Sequence, residues 1–597
     1  MNYIELQPRQ PENIALSFSG GGFRAATFGL GCLSYMETVK FDTAKMTDLV
    51  RFVSSASGGT FTAFGWTRSQ RKNQTFDEFY QYFKTEVLNG EHLIERAFEI
   101  LKDPAAWRGR PDKSRNLINA FAMVYDEVIF EGDAFGIYFE PNDKVLPVIC
   151  ANTTEFANGE QFRFQSTAVA GNKFLHFKGD DVSQEALKAI KLGDILACSS
   201  CFTGGFEPVV YPRDFTYGQW TQKNLSDAIV SDTRFNPLKS DNMTEPICFD
   251  LMDGGIDDNQ GINSFILAEG RLQTINQFGY DLYMACDVSS DYTTGYTFPI
   301  EKKGGRFSTG SIKGIGYLIG LLFILSLVIL LISQMRLIGA IATGATAILF
   351  AAVIAVNILT KSSIQKGSDQ KNTFAIIGQR FGSVFLNLPI WILKPMITSR
   401  ATSTGYLATT VFLKKIRRIS YDRLFEKISE HKYKEDGSAL KAEDDPETVV
   451  TVDLKRWSRF CLLNAVYLLS EKNNLQRHTD LAHELWFKSP PVLTYGNIIQ
   501  PLSTWMEPSP DMQVVATRAT AMDTTLWFDQ NQEKDEMPDS LIVTGQFTTC
   551  YNLLRYVYRF PVDDSYWKPI QKKIFSDWCR FLQDPFWLEK EYADKRS

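Results

Sequence analysis

A buried strand that breaks off at a serine constrains this chain more than any other feature. Phe52-Val53-Ser54-Ser55-Ala56-Ser57-Gly58-Gly59 reads as an apolar strand entering a tight turn, after which Thr60 to Trp66 are spaced to continue as a helix. A serine held at such a turn projects its hydroxyl from the sheet edge, and the turn is so sharp that its neighbours must be small. Ala56, Gly58 and Gly59 meet that demand. The Gly58 N–H would stand at a helix start, where a developing oxyanion is stabilised. Ser57 is therefore the candidate nucleophile. Ser55 stands where the pattern G-x-S-x-G has its first glycine, and an ordinary serine-glycine turn is the competing reading of so short a motif.

A second cluster of backbone donors lies upstream. Asn13 to Phe18 has strand character and enters Ser19-Gly20-Gly21-Gly22-Phe23-Arg24-Ala25-Ala26, beyond which Ala26, Leu30, Leu33 and Met36 have helical spacing. Three glycines let successive amides face one point. Gly20, Gly22 and Ala25 also fit the dinucleotide pattern G-x-G-x-x-A, but that motif wants an acidic residue at the end of the next strand to hold a ribose. The next strand ends in Ser54-Ser55-Ala56-Ser57. A hydroxyl stands where the carboxylate would be needed, so an oxyanion hole is the better use of the loop.

A third part comes much later. Pro246 to Met252 reads as a buried strand followed by Asp253-Gly254-Gly255. D-G-G alone reads as a turn. Beside a serine on an adjacent strand, however, Asp253 could take the hydroxyl proton directly and return it to the leaving group. The five histidines, His92, His176, His431, His478 and His483, do not sit beside a strand end or glycine turn suited to the same task.

In this order, Gly20-Gly21-Gly22-Phe23-Arg24, Ser55-Ala56-Ser57-Gly58-Gly59 and Asp253-Gly254-Gly255 resemble the patatin-like phospholipases, serine lipid acyl hydrolases with a Ser-Asp dyad in place of a triad. Leu196 to Phe202, with Phe206-Glu207-Pro208, looks like that family's small-residue and proline stretch ahead of the aspartate. The resemblance spans about the first 290 residues. It implies an α/β fold, a three-layer α/β/α sandwich, with Ser57 as nucleophile and Asp253 as base. It further implies an oxyanion hole from Gly20, Gly21, Gly22 and Gly58, with Arg24 bracing the glycine loop and Gly254 and Gly255 supporting the aspartate turn. No metal or cofactor is required, because base and oxyanion donors are protein groups. Asp250, Asp253, Asp257 and Asp258 are a conceivable calcium cluster that strand alternation and the glycine turn scatter.

At 597 residues the chain should hold more than one folding unit. A net charge of -6 gives no electrostatic reason to expect nucleic acid as a partner. Nine scattered cysteines suit a reducing compartment, and Cys198-Ser199-Ser200-Cys201 reads as small residues packed near a loop. The opening Met-Asn-Tyr-Ile-Glu lacks the pattern of a secretory signal. Between elbow and aspartate, Phe76 to Leu101 has helical periodicity, Lys102 to Lys113 reads as a surface loop, and residues 130 to 180 alternate like strands. Tyr280 to Asp287 is expected to be the last parallel strand of the main sheet.

Ile315 to Ser333 and Leu337 to Leu359 are nearly continuous apolar runs without a charge. At ~1.5 Å per residue they reach about 28 and 34 Å, enough to cross a hydrocarbon core of about 30 Å. Only Gln334-Met335-Arg336 separates them, so a two-helix transmembrane hairpin (313–360) is expected, with a pair of buried helices as the alternative. Lys302, Lys303, Arg306 and Lys313 precede it, Lys361, Lys366 and Lys371 follow it, and only Arg336 is at its tip. The positive-inside rule then makes a two-pass protein with its catalytic and C-terminal parts on the cytoplasmic side. Val384 to Leu393 suits an interfacial segment or a buried one equally. Lys414-Lys415-Ile416-Arg417-Arg418 fits anionic headgroups or a solvated helix face. Lys432 to Glu447 reads as an exposed loop. The region 375–597 reads as mainly helical, completing or capping the catalytic part (1–300).

The sequence thus points to a membrane-anchored lipid acyl hydrolase of phospholipase A or lysophospholipase type, with a membrane phospholipid or lysophospholipid as substrate. A lipid acyltransferase using the same dyad, and a membrane effector switched on by a ligand or partner, are the alternatives.

Overall fold

The structure, a computed structural model, describes residues 11–88, 91–167, 175–177, 181–231, 248–274, 280–288, 311–331, 342–343, 346–347, 388–406, 411–425, 433–434, 449–450, 460–482, 484–522, 525 and 528–595. The chain divides into two units, Met1–Thr293 with Leu413–Ser597, and Thr294–Phe412. In chain order the first part supplies β1 (Ile14–Phe18), α1 (Phe23–Thr38), β2 (Val50–Ala56), α2 (Gly58–Arg71), β3 (Val148–Glu155) and β4 (Glu160–Gln165). It continues with α3 (Leu192–Ser199), β5 (Val209–Tyr211), β6 (Phe249–Asp253), α4 (Ile262–Thr274) and β7 (Leu282–Asp287). The second unit holds α5 (Ile312–Leu331) and α6 (Ile390–Tyr406). The first unit resumes at Leu413, the second residue of α7 (Phe412–Phe425), and continues with β8 (Phe460–Ala465), α8 (Pro510–Ala521), α9 (Met537–Val557) and α10 (Trp567–Gln583).

The first unit is built on an eight-stranded mixed sheet in the order β8-β7-β1-β2-β3-β6-β5, with β4 paired to β3 off that path. Strands β8, β7, β1, β2 and β3 are parallel to one another, whereas β4 and β6 run antiparallel to β3. Helices cover both faces, as a parallel sheet requires. On β1, Ile14, Leu16 and Phe18 enter the large core shared with α1, α2, α9 and α10. The intervening Ala15 packs in a second core with Phe52, Cys150, Tyr283 and Phe265 of α4. Helix α1 is buried from Phe23 to Met36 because the sheet lies on one side and α9 on another. A Cβ on Gly31 would lie 2.0 Å from the Ile542 carbonyl oxygen, so the two helices meet backbone to backbone.

Three expectations about the elements change. Strand β8 lies outside β7, pairing Phe460 with Leu282, so the last parallel strand comes from the C-terminal region. That region therefore contributes to the sheet itself. The Phe76 to Leu101 periodicity is split into Phe76–Tyr82, a π-helical turn Phe83–Val87 and Glu91–Lys102. Between 130 and 180 only β3, β4 and Leu175–Phe177 are strands among the described residues.

In the second unit α5 contains one stretch, Gly314–Leu331, long and apolar enough to cross a membrane. It exposes Tyr317, Leu318, Leu321, Ile324, Leu325, Val328 and Leu331. Of the second apolar run, only Ala342, Thr343, Thr346 and Ala347 are described, and they are helical. Thr343 Oγ1 donates to Ser326 Oγ of α5 at 3.1 Å, and Thr346 Oγ1 lies 3.2 Å from the same atom. The rest of Leu337 to Leu359 and the flanking cations, Lys313 excepted, lie outside the described residues. So do residues 384–387 and, but for Tyr433 and Lys434, the stretch Lys432 to Glu447. From Ile390 the third apolar stretch is helical, as the start of α6.

Candidate active site

Strand register brings the serine and the aspartate to one level. Ala56, the last residue of β2, pairs with Asn152 of β3, and Thr153, the next residue of β3, pairs with Asp253. Ser57 and Asp253 thus come from strands separated by β3 and running in opposite directions, rather than from adjacent ones. Ser57 sits at φ 49°, ψ -126° between β2 and α2. This conformation is costly for a residue with a side chain, and persists only where its surroundings over-determine it. The surroundings here are tight. A Cβ on Gly58 would lie 1.9 Å from the Gly22 carbonyl oxygen, so the serine turn and the glycine loop touch through their backbones. Ser55 is in extended conformation within β2, so the missing glycine of the elbow pattern is not demanded by the backbone.

Asp253 is buried, 6% exposed. Its Oδ1 accepts the Gly255 N–H at 2.7 Å, and the Ser57 hydroxyl is near enough to the carboxylate to act on its pKa. Loss of water pushes its pKa up to about 6, and those two donors only partly offset that rise. The group is ionised at neutral pH and close to its proton-binding range.

The glycine loop offers donors selectively. The Gly20 N–H donates to the Asn259 carbonyl at 2.8 Å, so it is withdrawn from any oxyanion hole. Gly20 instead leaves room: a Cβ there would lie 2.3 Å from Asn259 Oδ1 and 3.1 Å from Ser57 Cβ. The N–H groups of Gly21 and Gly22 make no hydrogen bond among the described residues. Gly22 has φ 63°, and the following Phe23 N–H donates to the Thr525 carbonyl at 2.7 Å. Gly58 is the first residue of α2, where the helix supplies no acceptor for its N–H. Arg24 is buried, and its Nη2 reaches the Thr520 carbonyl of α8 at 3.4 Å, tying the loop-bearing helix to the C-terminal region.

One residue that the sequence reading passed over joins both halves of the site. Ser199, the last residue of α3, accepts the Ser57 N–H at its carbonyl (3.0 Å) and at its Oγ (3.1 Å). The same carbonyl accepts the Gly254 N–H at 3.2 Å. Its hydroxyl donates to the Asn152 carbonyl at 2.8 Å and lies 2.8 Å from Thr60 Oγ1. The Asp253 N–H donates to the Cys201 carbonyl at 3.0 Å. The Cys198 to Cys201 stretch therefore clamps the serine turn and the aspartate turn together. Small side chains followed by a bend are its signal in the sequence.

No protein-family model matches the chain, and no curated protein matches it. Solved structures give partial likenesses. Human GIVD cytosolic phospholipase A2 matches over 46% of this chain and 42% of its own, at 13% identity and a TM-score of 0.28. The same protein in complex with methyl gamma-linolenyl fluorophosphonate matches over 27% and 24%, at 19% identity and a TM-score of 0.20. This chain spans less than half the length of each of these two chains. At such TM-scores neither likeness bears on activity, and the site's own geometry has to carry the function.

Proposed function

We propose that this chain is a lipid acyl hydrolase that cleaves a fatty-acyl ester of a phospholipid or lysophospholipid through Ser57 and Asp253. The observation that carries the reading is a serine held at positive φ between a strand and a helix, with a buried carboxylate of raised pKa beside it. Ser57 Oγ attacks the ester carbonyl carbon while Asp253 takes its proton. The oxyanion that forms is stabilised by the N–H groups of Gly21, Gly22 and Gly58. Asp253 passes the proton to the leaving alcohol as the C–O bond breaks. Water then attacks the acyl-enzyme, giving its proton to Asp253 and releasing the fatty acid. Gly20, Gly254, Gly255 and Arg24 position these groups.

The same reading makes the chain a membrane protein, anchored through the hairpin that includes α5, with catalytic and C-terminal parts on the cytoplasmic side. Anchoring raises the local concentration of bilayer esters at the site. The test is hydrolysis of defined phospholipids by the purified full chain, with Ser57→Ala beside it and products identified by mass. Fatty acid and lysolipid should appear with the native chain and fall to background with the variant. Release that persists in Ser57→Ala overturns the assignment.

A further inference from the structure

Helix α7 carries the basic run of the sequence, and the structure sorts its side chains into two faces. On the inner face Tyr421 Oη donates to Asp287 Oδ2 at 2.6 Å, and Arg417 Nε stands 3.6 Å from the same oxygen. Asp287 and Arg417 are both buried, so Arg417 leaves the outward patch in which its sequence neighbours would place it. On the outer face Phe412, Lys415 and Ile419 follow one another at helical spacing, with Val411 and Arg418 beside them, and all five are exposed. Two cations alternating with three apolar side chains is the pattern of a helix that lies on anionic lipid. The apolar groups enter the acyl boundary while the charges stay at the phosphates.

The anchor point matters as much as the face. Asp287 ends β7 at the carboxyl end of the parallel strands, the end at which Ser57 stands. The Ser19 N–H donates to the Cys286 carbonyl at 2.9 Å, and the Val288 N–H donates to Ser19 Oγ at 3.1 Å. A Val288 methyl lies 2.6 Å from where a Cβ on Gly21 would be. The residues on either side of Asp287 are thus the ones packed on the glycine loop.

We propose that the outer face of α7 docks on an anionic bilayer surface, and that Asp287, Arg417 and Tyr421 hold it at the carboxyl end of the sheet, so that docking turns the Ser57 site toward lipid. A bilayer is the occupant because the same chain carries an apolar stretch able to span one, and because the exposed stripe is cationic. The docking stands without the hydrolase reading; its catalytic consequence rests on that reading.

The two are separated by one experiment on the full chain, reconstituted in nanodiscs of phosphatidylcholine with or without phosphatidylserine. A nitroxide is placed at Ile419→Cys in a Cys248→Ser background, Cys248 being an exposed cysteine. The label should be shielded by lipid on phosphatidylserine discs, withdraw as salt is raised, and withdraw in Lys415→Glu/Arg418→Glu. The charge reversal should lower hydrolysis of disc phospholipid about tenfold or more, the scale of two charges near an anionic surface. It should leave hydrolysis of a soluble short-chain ester unchanged. A label equally aqueous on both discs, or shielded only by an added acidic polypeptide, overturns the proposal. So does insertion that survives the charge reversal. Absence of all ester hydrolysis would instead remove the hydrolase reading and leave the label to decide docking.

Discussion

Asp253 ends β6 and Asp258 ends the short helix Gly255–Asp258 that follows it, and burial lifts both above the usual carboxylate range, to about 6 and about 7. Their partners differ. Asp258 accepts the Ile262 N–H at 3.0 Å, the Ser264 N–H at 3.4 Å and Gln161 Nε2 at 3.3 Å, so its oxygens are taken up by the start of α4 and by β4. Asp253 accepts one amide, that of Gly255, and has the Ser57 hydroxyl beside it. A raised pKa alone therefore does not mark a base. In the proposed reading, what singles out Asp253 is the Ser57 hydroxyl beside it, a proton that chemistry can move.

The largest effect that would break this comparison is expected from Asp253→Asn. The amide oxygen can still accept the Gly255 N–H, so the turn survives, but it cannot take a proton. Turnover should fall by about a thousandfold or more while the thermal midpoint at pH 8 holds or rises, since a buried charge is removed. In the native chain kcat/KM should climb with pH through about 6 and then level off, following ionisation of Asp253. A flat profile from pH 5 to pH 8 would remove Asp253 from the base role.

Ser199→Ala sharpens the contrast on the other side of the proposed dyad. The substitution keeps the carbonyl that holds the Ser57 and Gly254 amides, and deletes only the hydroxyl that bridges Ser57 N–H, Thr60 and Asn152. It leaves the buried Asn152 carbonyl short of a donor, at about 1 to 3 kcal/mol of stability. A turn that is less firmly held should lower kcat about tenfold with KM little changed. Urea midpoints and steady-state kinetics read the two effects separately. Native kcat together with the stability loss would make Ser199 a packing residue only.

The parts of the candidate site that stand out in the sequence share one property. Ser57, Gly22, Gly58 and Asp253 each sit where a single polar group is surrounded by residues kept small by close backbone contact, and that pattern is local. What was not legible depends on partners far along the chain. Nothing near Gly20 says that the Asn259 carbonyl takes its amide. Nothing in Cys198-Ser199-Ser200-Cys201 says which serine faces the elbow. Phe460 to Ala465 is a short apolar run whose period cannot separate strand from helix, and the free edge of β7 decides it. Arg417 looks like Lys415 and Arg418 until Asp287 is brought beneath it.

Asp258→Asn should do least to catalysis and most to the shape of the stability curve. With its folded pKa raised from 3.8 to about 7, Asp258 keeps a proton in the folded state that the unfolded chain has already released. The stability it contributes is thus fully present below about pH 4 and is lost as pH rises through about 7. Asparagine does not titrate, and its side-chain oxygen can still accept the Ile262 N–H, as a good capping residue does. The variant should therefore match the native chain at pH 3 and exceed it at pH 8 by about 1 kcal/mol or more, on the scale of one pKa unit. Its kcat/KM and the inflection near 6 should stay where they are. Urea midpoints at the two pH values, with a pH–rate profile beside them, decide it. Should Asp258→Asn lose activity as Asp253→Asn is expected to, the two carboxylates share one titration, and the distinction between base and cap falls.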